Sequence, residues 1–507
     1  MATSPKNQLG NIEHVVVLML ENRSFDNILG WLYDPQNNQP PFNKQPPKNF
    51  EGVYGKNLSN PGPGGVTFNV GRGNVLTDPN PDPGEPYEDV YSQLYNVTPA
   101  PALGSVPPNP PQPPKMQGFA NNYAEQPGVS NPGIIMNCFT PASLPVTSSL
   151  AYYYGVCDHW FASIPTQTLC NRSYVAAGTS SGYVDNEGGN GILFINHTPT
   201  IFNLLEAQGV SWKVYYGSWL LTCWSLMTQE QMWHFKYTEH YARMSQFKKD
   251  AKKKGGLPAY SFIEPIYLDS LIWGPENDMH PEANPFEFDG PSNVERGDRL
   301  IYEIYTALRA SPDWDKILFV ITFDEHGGCY DHVAPPSATP PDNIVIPPSQ
   351  PGGSGFGFNR LGVRVPAIVV SAYTPPQTVV NDVLDHTAVL STVVNRFGLP
   401  NNRLGNRAAN SPDLGMALTL KKPRTDKPPI PKPSAPALAS TKLDAARLTP
   451  KPLTRLQRTL LEGAAYRLGK SGIAPLTAAA ADLPQAQTTL EADAALARCE
   501  VELLRHK

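Results

Sequence analysis

The chain of 507 residues holds no apolar run long enough to cross a bilayer. Its most apolar early stretch, residues 15–20, falls far short of the roughly 20 residues a helical span needs, and Glu13, His14 and Glu21 flank it. There is no basic excess either. Forty Lys and Arg against 45 Asp and Glu leave a formal charge of −5, so no field favours a nucleic acid. Cysteine is scarce: the six at 138, 157, 170, 223, 329 and 499 show no Cys-x-x-Cys spacing, which leaves mostly buried thiols rather than metal ligands. The opening Met-Ala-Thr-Ser-Pro-Lys lacks the charged-then-apolar pattern and small-residue cleavage site of a secretory signal. The expected location is the cytoplasm, or outside the cell by a leaderless route or after trimming of a leader.

Proline is what the chain has in quantity, 55 residues, roughly twice the usual share of about 5%. Most fall in blocks, notably within residues 34–114 and 335–357, which read as long ordered loops inserted in a regular core and shaping the mouth of a cleft. A chain this long exceeds one ordinary core unless a large α/β domain carries such insertions. Beyond residue 420 the texture changes. Residues 421–436 form a proline-and-lysine linker, and residues 453–468 and 490–504 have helical period. The division expected is a main domain over residues 1–420 and a linker with a helical C-terminal region over 421–507. Apart from His506, this tail carries no chemical constellation, so it is expected to pack on the core or on a second copy, serving stability or lipid approach.

The chemistry gathers at strand ends. Residues 317–323, Ile-Leu-Phe-Val-Ile-Thr-Phe, are a β-branched and aromatic run expected to be buried on both faces, as in a parallel sheet. At its carboxyl end come Asp324, Glu325 and His326, then Gly327-Gly328 to turn the chain, and ligands of an open parallel sheet collect at that edge. Adjacent carboxylates repel each other unless a cation or a proton is shared, so Asp324 and Glu325 beside histidine point to a metal or phosphoryl site; the plainer alternative is a solvated strand-to-loop junction. Residues 15–20 form a second such strand, leading into Glu21-Asn22-Arg23-Ser24-Phe25-Asp26 and a short helix. Glu21 can ligate a hard cation and Asn22 can offer a carbonyl ligand or an amide donor to a phosphate oxygen; alternatively Asn22 or Ser24 caps the helix.

A third stretch, Pro165-Thr166-Gln167-Thr168-Leu169-Cys170-Asn171-Arg172, opens a helical run. Thr168 is either an N-cap or a nucleophile, because a helix start stabilises a phosphate and a metal at the threonine oxygen would lower its pKa. Arg172 is a candidate phosphate clamp, or else a surface ion pair. Helices are expected over residues 87–95, 143–154 and 294–310, and from Asp385-His386-Thr387 to about Phe397; strands are expected over 211–216, 259–263 and 363–373. Trp212, Tyr215, Tyr216, Trp219, Trp224, Trp233 and Phe235 are expected as core, or as a cation–π surface for a choline-like headgroup. Glu276-Asn277-Asp278-Met279-His280-Pro281 sets carboxylates and a histidine in a loop.

Glu-Asn-Arg-Ser-Phe-Asp at 21–26, Pro-Thr-Gln-Thr-Leu-Cys-Asn-Arg at 165–172, Asn-Asp-Met-His-Pro at 277–281 and Asp-Glu-His-Gly-Gly-Cys-Tyr-Asp-His-Val-Ala-Pro-Pro at 324–336 together resemble, in order and approximate spacing, the phosphoesterase family of bacterial and plant phospholipases C and related acid phosphatases. The resemblance covers about residues 12–400. It implies an alkaline-phosphatase-like α/β/α sandwich with one divalent metal ion of unassigned identity. It implies Glu21, Asn22, Asp324, Glu325 and the Thr168 oxygen as metal-site positions, Thr168 as nucleophile, and His280 and His326 as phosphate-pocket or proton-transfer residues. Asn171, Arg172, Glu85, Asp278 and His386 are weaker substrate-binding candidates; His386 stands in Asp-His-Thr-Ala where the family often has Asp-His-Thr-Ser. The activity implied is metal-dependent cleavage of a phospholipid to diacylglycerol and a phosphorylated headgroup through a phosphothreonine, with peripheral membrane contact. The alternatives are an acid phosphatase acting on small soluble monoesters and a non-catalytic lipid- or partner-binding protein. Two departures bear on substrate rather than on the nucleophile or metal positions. Many relatives have Asp-Pro-Gly-His where this chain has Asp82-Pro83-Gly84-Glu85, and histidines found in relatives near the strand after Trp212 have no match here.

Overall fold

The structure, a computed structural model, describes residues 7–186, 194–268, 270, 273–281, 293–400, 403–433, 453, 455–470 and 473–505. Its strands are β1 (His14–Leu20), β2 (Ser59–Pro61), β3 (Thr67–Asn69), β4 (Gly71–Gly73), β5 (Asn137–Phe139), β6 (Gly155–Cys157), β7 (Trp212–Tyr216), β8 (Tyr241–Arg243), β9 (Tyr260–Glu264), β10 (Ile317–Phe323), β11 (Ala367–Ser371) and β12 (Thr378–Val380). Eight of them make one sheet in the order β12-β6-β11-β10-β1-β9-β7-β8, and the short pairs β2–β3 and β4–β5 stand apart from it.

The two apolar runs with acidic ends are central neighbours. β1 and β10 run parallel, with His14 opposite Ile317 and Leu20 opposite Phe323, and every residue of both is buried. Because the last residues of the two strands are in register, Glu21 and Asp324 leave the sheet at the same level. β9 and β7 extend the parallel array. The central strands are parallel as expected, but the sheet is mixed, because β11 is antiparallel to both β10 and β6. The chain between β10 and β11 has no crossover helix and re-enters from the edge it left, which gives an antiparallel neighbour. β11 is also shorter than expected, since Pro366 has no N–H for the ladder and the strand starts only after it.

The helices form two groups. α4 (Pro145–Tyr153), α8 (Met244–Lys252) and α9 (Val294–Arg309) pack together, and α5 (Thr168–Ala177) packs with α6 (Ile201–Ala207), α7 (Trp224–Thr228) and α10 (Thr387–Phe397), the last against α11 (Gly405–Asn410). With both faces of the sheet covered, the architecture is an α/β sandwich. The connection after β1 carries α1 (Phe25–Leu29), α2 (Tyr87–Tyr95) and α3 (Phe119–Ala124) amid the proline-rich loops.

The tail helices α12 (Arg455–Gly469), α13 (Ala474–Ala480) and α14 (Thr489–Arg505) add Leu461, Leu468, Leu476, Leu496 and Leu503 to the main apolar core. Trp219 Nε1 donates to Asp493 at 2.8 Å, and Arg243 pairs with Glu500 at 2.7 Å. The described part of the expected linker is docked rather than free: the Arg424 N–H donates to the Ala372 carbonyl at 2.8 Å and its guanidinium lies 4.9 Å from the Tyr154 ring centre. Residues 434–436 of that linker, and His506, lie outside the described residues. Trp212, Tyr215, Tyr216, Trp219 and Trp224 are buried, as core rather than as a headgroup surface. Trp233 meets Tyr466 of the tail, and the Phe235 side chain lies outside what is described. No described helix is long and apolar enough to cross a membrane.

Candidate active site

The ends of β1 and β10 approach as closely as backbone allows. Gly327 has φ +58°, and a Cβ there would fall 2.1 Å from the Asn22 carbonyl oxygen, so only glycine permits this contact. Asn22 itself turns at φ 55°. Its N–H donates to Asp324 Oδ1 at 3.0 Å, and the Glu325 N–H donates to the same oxygen at 2.7 Å. Ser24, not Asn22, caps α1 by accepting from the Asn27 N–H at 3.1 Å. The Asn22 side chain is thereby left for the site: Nδ2 donates to Glu85 and Oδ1 faces Thr168.

Thr168 is the first residue of α5, whose N-cap is Gln167, so its hydroxyl has no capping duty. It lies 3.2 Å from Glu21 Oε2 and 3.4 Å from Asn22 Oδ1. One hydroxyl hydrogen can serve only one of these acceptors at a time. Arg172, one helical turn on and on the same face, sits beneath the hydroxyl. It pairs with Glu21 Oε1 at 2.7 Å and Asp324 Oδ2 at 3.2 Å, and donates to the Leu20 carbonyl at 3.1 Å. Expected as a phosphate clamp or a surface pair, Arg172 is fully buried, which excludes the surface pair; it clamps the two strand ends, and its Nη1 has no hydrogen-bond partner among the described residues. Asn171 does not face a substrate. Its side chain accepts from the Ile164 N–H at 3.0 Å and donates to the Thr166 carbonyl at 2.7 Å, pinning the loop that delivers Thr168.

Glu325 completes the acidic set. Oε2 accepts from the Gly327 N–H at 2.7 Å, while Oε1 is buried without a hydrogen-bond donor. Burial is the largest influence on both glutamates and drives their carboxyl pKa values up; Arg172 opposes it at Glu21, whereas Glu85 and Asp324 add to it at Glu325. Glu21, Asp324 and Glu325 are all buried, and Arg172 pairs with the first two only, so Glu325 is left out of water without a paired cation among the described residues. Carboxylate, amide and hydroxyl oxygens converging in this way fit a hard divalent cation.

Beside this set stand Asp82, Glu85 and His280, whose ligand atoms lie within 4.8 Å of one another in an arrangement able to hold a metal. Burial works against charge on His280, but Asp82, Glu85, Glu21 and Asp278 outweigh it and lift its pKa to about 10. Asp278 is raised by burial to about 6; its side chain accepts from the His280 N–H at 3.0 Å and its carbonyl accepts from the Glu21 N–H at 2.8 Å. It therefore links the histidine to the end of β1. His326 is buried, which lowers its pKa to about 3; Nε2 meets Gln93 Oε1 at 2.7 Å and Nδ1 lies 3.3 Å from Glu325. Both ring nitrogens of His386, expected as a substrate-binding candidate, are engaged within the protein: Nε2 donates to the Asp324 carbonyl at 2.6 Å and Nδ1 accepts from Trp160 at 3.3 Å. These contacts steady the backbone at Asp324.

Asp82 and Gln93 enter the site from the insertion: the helix that carries Gln93 is readable from its period, but nothing in the sequence assigns either side chain to the site. A second cluster involves Asp331 and His332, three and four residues beyond the Gly327-Gly328 turn. Asp26, Asp331 and His332 lie within metal-ligand distance of one another, but Arg364 already pairs with Asp26 and Asp331, at 2.9 Å each. That group is a charge-balanced clamp between α1 and the loop after β10.

A profile described as the Phosphoesterase family matches residues 12–400. Non-specific phospholipase C4 of Arabidopsis thaliana is 36% identical over 430 residues, covering 82% of this chain and 73% of the plant protein. Phospholipase C B of Mycobacterium tuberculosis is 28% identical over 491 residues, covering 87% and 83%. Among solved structures, a protein in the alkaline phosphatase superfamily from Vibrio parahaemolyticus aligns with 54% of this chain and 64% of its own at 12% identity and TM-score 0.31. The match over residues 12–400 spans all four motifs and both strand ends, so the chain belongs to the Phosphoesterase family and is a phosphoric ester hydrolase.

Proposed function

We propose that the protein is a metal-dependent phospholipase C that cleaves a phospholipid to diacylglycerol and a phosphorylated headgroup, with Thr168 as the nucleophile. The observation that carries the reading is the Thr168 hydroxyl, 3.2 Å from Glu21 and 3.4 Å from Asn22 at the first turn of a helix, between two acidic strand ends. Glu21, Asn22, Asp324, Glu325 and the Thr168 oxygen would hold one divalent ion, and the orphaned Glu325 Oε1 is the atom such an ion would satisfy. A bound cation supplies charge that favours the threonine alkoxide and the phosphoryl oxygens.

In this reading Glu21, the nearest acceptor, takes the hydroxyl proton as the Thr168 oxygen forms its bond to phosphorus. The bond from phosphorus to the glycerol oxygen breaks, and that oxygen leaves as the diacylglycerol hydroxyl by taking a proton from solvent, while Glu21 keeps the Thr168 proton and returns it to the threonine oxygen in the second step. Water then attacks the phosphothreonine, releasing the phosphorylated headgroup and restoring the hydroxyl. The N-terminal end of α5 favours the negative charge that builds in both steps. His280, kept cationic by its carboxylate neighbours, would stabilise a phosphoryl oxygen by its charge. Arg172, Asn171 and His386 hold geometry. The names of the plant and mycobacterial relatives support a phospholipid substrate, and such a substrate would require a transient contact with a lipid surface.

The test pairs two substrates and one metal measurement. Headgroup release from mixed micelles should exceed release of phosphate from a soluble monoester, chelation should stop both, and elemental analysis should find about one divalent ion per chain. Faster turnover of the monoester would make the protein an acid phosphatase, and full activity without metal would remove the cation from the account.

A further inference from the structure

One side chain that no motif marks joins the histidine after β10 to the loop carrying Asp82 and Glu85. Gln93, buried on α2, donates through Nε2 to the Gly84 carbonyl at 2.6 Å and to Asn122 Oδ1 at 2.8 Å, and its Oε1 meets His326 Nε2 at 2.7 Å. The direction of the amide is determined by its neighbours. The Gly84 carbonyl can only accept, so a flipped amide would set oxygen against oxygen. Asn122 is oriented in the same way, since its Nδ2 donates to Asp89 Oδ1 at 2.6 Å and leaves its own oxygen for Gln93. The packing leaves no slack. Gly328 has φ +62°, and a Cβ there would fall 2.6 Å from Pro83, 2.7 Å from the Gly84 oxygen and 3.2 Å from Gln93 Nε2. Phe119 closes the remaining side, edge-on to the imidazole at 6.1 Å.

An amide oxygen accepts and never donates, so the ring nitrogen facing it must carry hydrogen. We propose that Gln93 is a positioning residue of the hydrolase: it holds the His326 ring with hydrogen on Nε2 and with Nδ1 toward Glu325, and it ties that ring to the loop of Asp82 and Glu85. The inference rests on the hydrolytic site described above. A histidine free to exchange tautomers would present a donor to the Glu325 carboxylate in part of the population and an acceptor in the rest. Gln93 removes that ambiguity without touching substrate. Outer-shell partners of this kind orient the groups around a metal site and set which nitrogen is available.

The full-length protein labelled with ¹⁵N-histidine tests this directly. The His326 signals, identified by their loss in His326→Gln, should show hydrogen on Nε2 in the native protein; hydrogen confined to Nδ1 would overturn the proposal. Two variants carry it to turnover. Gln93→Met removes all three contacts, whereas Gln93→Glu keeps an acceptor for Nε2–H and loses the two donations. On a soluble phosphodiester, Gln93→Met should lower kcat by about 10–100-fold with KM within a few fold, and Gln93→Glu should recover part of that loss. A Gln93→Met protein with native kcat, or a Gln93→Glu protein as impaired as Gln93→Met while its His326 keeps hydrogen on Nε2, would overturn it. Should Gln93→Met fail to fold by circular dichroism, the native tautomer and the Gln93→Glu kinetics still decide. A native protein that hydrolyses no phosphoric ester would sink the functional reading, and the tautomer would remain readable.

Discussion

At Thr168 a single hydroxyl faces two oxygens at 3.2 and 3.4 Å, so its removal costs at most one weak hydrogen bond. Thr168→Ala should therefore lose about 1 kcal/mol of stability while losing nearly all turnover, and thermal melts beside assays on a soluble phosphodiester separate the two. Arg172 is the reverse case. Arg172→Met leaves Glu21 and Asp324 buried without their guanidinium, which should cost about 3–5 kcal/mol in a denaturant titration. Near-native stability there would mean that the carboxylates find compensation elsewhere. The acidic strand ends and Thr168 were legible in the sequence because adjacent carboxylates after an apolar run have few uses. The role of Arg172 was not, since nothing in the order of residues says that its helix face turns inward. Gln93 was harder still: it is one polar residue in a short helix, and its partners come from three other segments.

Among the elements, the junction of β1 with β10 is the most constrained. Gly327→Ala adds a Cβ 2.1 Å from the Asn22 carbonyl at a backbone angle that alanine avoids. It should push Asn22 away from Asp324 and Glu325, lowering metal content and turnover together, as elemental analysis and assay would record. The clamp between α1 and the loop after β10 gives a pH dependence. Burial works against charge on His332, but Asp26 and Glu51 lift its pKa to about 9. A histidine raised in the folded state stabilises fully below its unfolded value near 6.5, and that contribution fades as pH rises through about 9. The folded protein should lose on the order of 3 kcal/mol across this window. His332→Gln should be less stable than the native chain at pH 6 and no less stable above pH 10; an equal gap at both would contradict the assigned charge. Strand and helix positions were largely readable from apolar runs and period, as at β10 and α2. The reversal at β11 was not, because strand direction depends on where the preceding loop returns.

For the whole molecule, the tail is the piece whose sequence says least about placement. Its leucines join the main core, and Asp493 and Glu500 meet Trp219 and Arg243 beside β7 and β8. A chain ending at residue 433 should melt at lower temperature, since each fully buried leucine contributes roughly 1.5–3 kcal/mol, yet hydrolyse a small soluble phosphodiester within a few fold per folded molecule. Loss of that activity from a truncated protein still folded by circular dichroism would place part of the site under the tail's control, through α7 and the Trp224 ring beside Arg172. The proposed catalysis turns on a covalent bond between Thr168 and phosphorus. Acid quenching during turnover of a soluble phosphodiester, followed by proteolysis and mass spectrometry, should find a phosphoryl adduct on Thr168 that is absent from Thr168→Ala and from chelated protein; steady turnover with Thr168 unmodified, or an adduct on another residue, would contradict it.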